Sequence, residues 1–289
     1  MNDVSDYLEH FVTLRDGLRM YCREYGATHR SAAAVLCLPG LTRNCRDFEP
    51  LARALSDRWR VLTPDLRGRG RSDYDPQWQN YQPLTYVADV GELLQQRGES
   101  RVVVIGTSLG GLIAMLMAAM NPAALAGVVL NDVGPEIDPA GIARIAGYVG
   151  KLPAVRTWQD AAAQARLVNG ASLPDFTNDD RNRFARAAYR DDGDGNPLLD
   201  MDPKIGDAMR EAPAGAAPDL WSLYGLLAKV PTLAIRGETS DILSAATFAT
   251  MRERKPDLRT LQVPSRGHAP TLDEPVCRAA IRAFLGSLA

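Results

Sequence analysis

Short apolar runs recur along this chain, separated by stretches whose apolar residues fall at helical spacing. The runs occupy residues 32–38, 61–64, 102–105, 127–130, 230–235 and 258–263. Each is too short for a buried helix and apolar at successive positions, which predicts strands covered on both faces. Between them, Phe48, Leu51 and Leu55 follow Asn44, a suitable N-cap, and Tyr86, Val90, Leu93 and Leu94 precede Gly98, so both stretches predict amphipathic helices. Alternation of strand and helix predicts a mainly parallel central sheet with helices on both sides. Ahead of it, residues 11–14 and 18–23 flank Asp16-Gly17, a strong signal for an antiparallel hairpin. The alternation breaks between residues 134 and 225, where Pro153, Pro174, Pro197, Pro203, Pro213 and Pro218 punctuate short helical, polar segments. The pattern predicts an α/β core over 1–133 and 226–289 and a helical cap over 134–225, the kind of insertion that commonly serves as a lid.

A chain of 289 residues with 46% hydrophobic residues suits one large α/β domain with an insertion better than two independent domains. The formal net charge of -2 gives no electrostatic basis for binding nucleic acid or an anionic membrane. Residues 1–10 carry Asp3, Asp6 and Glu9 without the basic and apolar regions of a signal peptide, and no apolar run is long enough to span a bilayer. Cys22, Cys37, Cys45 and Cys277 lack C-x-x-C spacing. That spacing argues against a zinc site or a disulfide framework and predicts reduced thiols in a cytoplasmic protein.

The candidate chemistry centres on Gly106-Thr107-Ser108-Leu109-Gly110, which follows the run at 102–105 and opens an Ala-, Leu- and Met-rich helical stretch. It fits the G-x-S-x-G nucleophile elbow, which places Ser108 on a tight strand-to-helix turn. A serine hydroxyl needs a general base, and the chain has three histidines. His10 lies in the N-terminal segment and His29 in a polar loop. His268 follows the last apolar run, where strand ends form sites in doubly wound sheets, and is the expected base. The chain order Ser, acid, His favours Asp241, after the run ending at residue 235. Asp132, just beyond the run at 127–130, is the rival, and Glu238 is a third candidate. Two backbone N–H groups should hold the oxyanion: that of Leu109 after the nucleophile, and that of Leu41 in the loop after the first parallel strand. Pro39 has no N–H to give.

With Leu38-Pro39-Gly40-Leu41, Pro64-Asp65-Leu66-Arg67-Gly68-Arg69-Gly70-Arg71-Ser72, the elbow, the segment from Gly237 to Asp241, and Gly267-His268, the chain resembles the α/β-hydrolase fold family, in its capped serine esterase-like group. The resemblance spans essentially the whole length. It departs from the family at Pro39, where members typically have histidine; the Leu41 donor is unaffected. The resemblance implies hydrolysis through an acyl-enzyme, with no metal and no organic cofactor.

Other signals change the picture little. Gly68-Arg69-Gly70-Arg71 lacks the spacing of a phosphate loop. Asp191-Asp192-Gly193-Asp194-Gly195-Asn196 has the flavour of a calcium loop, but Pro197 and Pro203 stand where an EF-hand needs glycine and glutamate. Arg43 beside the oxyanion loop is placed either to grip a substrate carboxylate or carbonyl or to pair with Asp47. Tyr148 is a second substrate-binding candidate. The expected function is a serine hydrolase cleaving carboxylic esters of small molecules. A C–C bond hydrolase or lactonase on the same triad, and a slow-turnover ligand receptor, remain as alternatives, and a homodimer is left open. Haloalkane dehalogenase and epoxide hydrolase chemistry would need aspartate at position 108.

Overall fold

The computed structural model describes residues 6–29, 33–211 and 219–288. Residue 32, Pro213 and Pro218, used above to mark element ends, lie outside them. In chain order the elements are β1 (Tyr7–Thr13), β2 (Arg19–Tyr25), β3 (Ala34–Leu38), α1 (Glu49–Leu55), β4 (Val61–Pro64), α2 (Pro83–Gln96), β5 (Val102–Thr107), α3 (Leu109–Met120) and β6 (Leu125–Asn131). There follow α4 (Pro139–Tyr148), α5 (Trp158–Asn169), α6 (Asn178–Ala188), β7 (Tyr189–Asp191), β8 (Pro197–Leu199), α7 (Lys204–Glu211) and α8 (Leu220–Gly225). The chain closes with β9 (Thr232–Gly237), α9 (Ala245–Arg254), β10 (Arg259–Val263) and α10 (Pro275–Gly286).

Eight of these strands form one sheet in the order β1-β2-β4-β3-β5-β6-β9-β10. The first two pair antiparallel around the Asp16-Gly17 turn, β2 joins β4 antiparallel, and every pairing from β4 to β10 is parallel. Every residue of β3 and of β6 is buried, which is why these strands read as unbroken apolar runs rather than alternating ones. One face packs side chains of α1 and α10, Leu51, Leu55, Ile281 and Phe284 among them. The other packs α2 and α3 through Tyr86, Val90, Ile113 and Met117. Asn44 caps a short 3₁₀ turn at Cys45–Phe48, accepting from the Arg46 N–H at 3.0 Å, and the α-helix begins only after it.

Residues 134–225, between β6 and β9, hold α4 to α8. They also hold a two-stranded hairpin, β7 with β8, around the Asp-Gly-rich turn at 191–196. The sequence reading placed only helices in this segment. Strands of three residues are too short to show alternation, so the Asp-Gly dipeptides were the sole available sign. The segment is tied to the core near the carboxyl ends of the strands. Asn44 Nδ2 donates to the Ala187 carbonyl at 2.9 Å, Arg46 reaches the Tyr189 carbonyl and the buried Asp200, and the Gly267 N–H donates to the Ser172 carbonyl at 2.9 Å. No helix among the described residues is long and apolar enough to cross a membrane.

Candidate active site

Strand β5 ends at Thr107 and α3 starts at Leu109, so the direction of the chain changes within Ser108. Its φ of 52° and ψ of -112° lie outside the regions open to side chains without strain, at a cost of about 1–3 kcal/mol. The surroundings over-determine the turn. The Ser108 N–H donates to the Asn131 carbonyl at 3.0 Å, and its own carbonyl accepts from the N–H groups of Gly111 and Leu112. The flanking glycines permit the crossing: a Cβ on Gly106 would sit 2.3 Å from the Gly110 carbonyl carbon, and one on Gly110 only 2.1 Å from the Leu38 oxygen.

Ser108 Oγ lies 3.0 Å from His268 Nε2, and His268 Nδ1 lies 2.8 Å from Asp132 Oδ2. Asp132 is fully buried. Its Oδ1 accepts the Gly237 N–H at 2.7 Å and its Oδ2 accepts the Ser240 hydroxyl at 2.6 Å. Its own N–H donates to the Ile235 carbonyl at 2.8 Å, and its φ of 54° is a conformation that aspartate tolerates better than most residues.

This geometry corrects the expectation for Asp241. Its carboxylate is held in a two-point pair by Arg144 of α4, with Nη2 to Oδ1 at 2.9 Å, and makes no hydrogen bond to the imidazole. Hydrogen bonding to Arg144 lowers its pKa below the ordinary 3.8 against a smaller opposing effect of burial, and the field of His268 adds a lesser push the same way. Two parallel strands, β6 and β9, each deliver an aspartate to this end of the sheet, and the guanidinium from α4 claims the second. Glu238 accepts the Ser265 N–H at 2.9 Å and braces the loop leading to His268.

The loop after β3 passes directly over the elbow: a Cβ on Gly40 would lie 3.8 Å from that of Ser108. Gly40 to Arg43 form a turn closed by the Arg43 N–H on the Gly40 carbonyl at 3.1 Å. Among the described residues, neither the Leu41 N–H nor the Leu109 N–H has an acceptor. Arg69, set aside above because its segment lacks the spacing of a phosphate loop, is fully buried. It donates from Nε to the Leu41 carbonyl at 2.6 Å and from Nη1 to the Arg67 carbonyl at 2.7 Å, while Nη2 reaches the Tyr86 hydroxyl at 3.2 Å. Charge-assisted bonds of this kind are short and strong, and this one fixes the turn from behind. The signal in the sequence was the middle arginine of an alternating run, Arg67-Gly68-Arg69-Gly70-Arg71, with nothing to say what it touches.

Ser108 and His268 open onto a cavity of about 460 Å³, walled by the Gly40 loop on one side and by Tyr148, Ser172 and Phe184 of the inserted segment on the other. Burial pushes the Tyr148 hydroxyl up, so it stays protonated at neutral pH. Arg43 pairs with Asp47 and lies over the Phe184 ring at 4.0 Å. No cluster of three His, Cys, Asp or Glu side chains able to hold a metal occurs among the described residues.

The pattern of the alpha/beta hydrolase family matches residues 35–280. The chain belongs to the alpha/beta hydrolase family. Within that family it is 32% identical over 264 residues to a 3-hydroxybutyrate-oligomer hydrolase of Cupriavidus necator, covering 89% of each chain. It is 29% identical to a 2-(acetamidomethylene)succinate hydrolase of Mesorhizobium japonicum, covering 90% of each. Among solved structures, an alpha/beta hydrolase from Novosphingobium aromaticivorans superposes with a TM-score of 0.91 at 48% identity, over 98% of this chain and 99% of the other.

Proposed function

We infer that this hydrolase cleaves carboxylic esters of small molecules through an acyl-enzyme formed on Ser108. The observation that carries the reading is the continuous chain of contacts from Ser108 Oγ through His268 to Asp132, at 3.0 and 2.8 Å. In this mechanism His268 Nε2 takes the Ser108 proton as Oγ attacks the ester carbonyl and returns it to the departing alcohol. Asp132 holds the imidazole with its proton on Nδ1 and stabilises the imidazolium that forms. The developing oxyanion is received by the N–H groups of Leu41 and Leu109, worth about 3–4 kcal/mol each in comparable sites. Water then attacks the acyl-enzyme carbonyl, giving a proton to His268, which passes it to Ser108 Oγ as the C–Oγ bond breaks and the carboxylic acid leaves. Residues 134–225 act as the cap that walls the acyl pocket.

The relative named for 3-hydroxybutyrate oligomers favours short hydroxy-acid oligoesters as the natural substrate class, since the units of such oligomers are joined by ester bonds. The relative named for 2-(acetamidomethylene)succinate supports a second reading, cleavage of a non-ester bond by the same residues. A p-nitrophenyl ester series from acetate to decanoate, with Ser108→Ala as the blank, separates the two. Cleavage confined to the wild type and greatest for short acyl chains is expected. Absence of cleavage across the series refutes the ester reading.

A further inference from the structure

We propose that Arg43 is a carboxylate anchor, so that the substrate is a short ester bearing a free carboxylate close to the scissile carbonyl; this rests on the ester reading above. The stem of Arg43 runs beside the nucleophile: its Cγ and the Ser108 Cβ each lie 3.8 Å from the point a Gly40 Cβ would occupy. Its guanidinium lies over the Phe184 ring of α6 at 4.0 Å, with 16% of the side chain exposed. A guanidinium presents five N–H donors in a fixed plane. Asp47 accepts from Nε at 2.6 Å and from Nη2 at 2.5 Å, and Nη1 donates to nothing among the described residues. Nη1 and the outer N–H of Nη2 are therefore left for a ligand, on a residue that lines the same cavity as Ser108 and His268.

The other arginines lining the cavity are held by partners or turned largely to solvent. Arg46 binds the Ala187 and Tyr189 carbonyls and Asp200 through Nε and Nη2, and Arg266 binds Glu274, Asp175 and the Ser265 carbonyl through Nε and Nη1. Each keeps one nitrogen unbonded among the described residues, but it is the stem of Arg43 that packs against the Gly40 turn over the elbow. Arg183 is 74% exposed and paired with Asp180. Tyr148 also lines the cavity; burial keeps its hydroxyl protonated against the fields of Arg144 and, less strongly, Arg43, so it is a neutral donor on the same wall. Asp47, Asp175, Asp180, Asp273 and Glu274 also line the cavity, so a dianion such as a phosphate monoester would be repelled where a single carboxylate on the free edge of Arg43 is not. Because the stem of Arg43 and the nucleophile flank the same Gly40 turn, the substrate carboxylate and the scissile carbonyl are separated by only a few atoms, as at the carboxyl end of a β-hydroxy-acid oligoester.

The test compares the linear dimer of 3-hydroxybutyric acid with its primary amide, the same ester with the terminal charge removed. Wild-type kcat/KM is expected to favour the acid by about tenfold to a hundredfold at low salt, the worth of one charge-assisted pair, and less as salt screens it. Arg43→Gln should bring the ratio of acid to amide close to one. Asp47→Asn, which removes the competing carboxylate and leaves Arg43 in place, should raise it. A wild-type ratio near one, or turnover of neither compound while p-nitrophenyl butyrate is cleaved, overturns the anchor and leaves the ester reading standing. An Arg43→Gln variant that slows acid and amide equally also overturns it, since Arg43 would then serve only the loop. Loss of p-nitrophenyl butyrate cleavage in the wild type would instead sink the ester reading itself.

Discussion

Replacing Asp132 with asparagine exchanges one oxygen for an amide nitrogen and should nearly abolish hydrolysis. The Gly237 N–H donates to Oδ1 at 2.7 Å, so the amide oxygen of the variant stays at that position and its NH₂ group falls where Oδ2 now faces His268 Nδ1 at 2.8 Å. An NH₂ group there is a donor, and it selects the imidazole tautomer whose proton sits on Nε2. Ser108 Oγ, 3.0 Å from Nε2, then meets a donor where it needs an acceptor. In a serine protease the corresponding change costs about ten-thousand-fold in kcat, which is about 5 kcal/mol of transition-state stabilisation. Asp241→Asn is the matched control. It removes a two-point pair with Arg144 whose side chains are 39% and 35% exposed, an interaction worth about 1 kcal/mol or less of stability, and it leaves His268 with its acid. Steady-state kcat/KM on p-nitrophenyl butyrate, with circular dichroism to confirm folding, reads both. A fall of roughly a hundredfold or more for Asp241→Asn, with Asp132→Asn close to wild type, would refute the assignment.

Three further outcomes follow from the site and its supports. Leu41→Pro removes one oxyanion donor at the second position of a turn that accepts proline, and kcat should fall by about a hundredfold to a thousandfold with KM changed far less; an unchanged kcat places the donor elsewhere. Arg69→Met removes the 2.6 Å bond to the Leu41 carbonyl, so kcat and the affinity for a boronic acid transition-state analogue should fall by the same factor, whereas a merely structural arginine would lower the melting temperature alone. Arg144 depresses the Asp241 pKa below 3.8, so their pair stabilises the fold at pH above that value and ceases to do so as pH falls through the lowered folded value. Urea titrations should accordingly show Asp241→Asn slightly less stable than wild type at pH 7 and indistinguishable from it once the carboxylate is protonated.

The strands were legible because they are buried on both faces, so β3, β5 and β6 read as unbroken apolar runs. The elbow was legible because its glycines answer a local need: no side chain fits between Gly110 and the Leu38 oxygen. His268 emerged by elimination among three histidines. The partner of that histidine was not legible. Asp132 and Asp241 both follow parallel strands that end beside the site, and the choice between them is made by Arg144, a residue on α4 that no sequence spacing connects to Asp241. The same is true of Arg69, whose acceptor lies on a different loop. Contacts between segments far apart in the chain decide these roles, whereas local periodicity decides the elements.

The central claim is that Ser108 is the attacking group, and covalent trapping tests it most directly. The wild-type chain is treated with a fluorophosphonate, which phosphonylates an activated serine with loss of fluoride, and is followed by activity and by peptide mass mapping. The account predicts loss of activity in step with one adduct per chain, located on Ser108, and no adduct in Ser108→Ala. Hydrolysis that survives excess reagent, or an adduct on any other residue that accompanies the loss of activity, would contradict it.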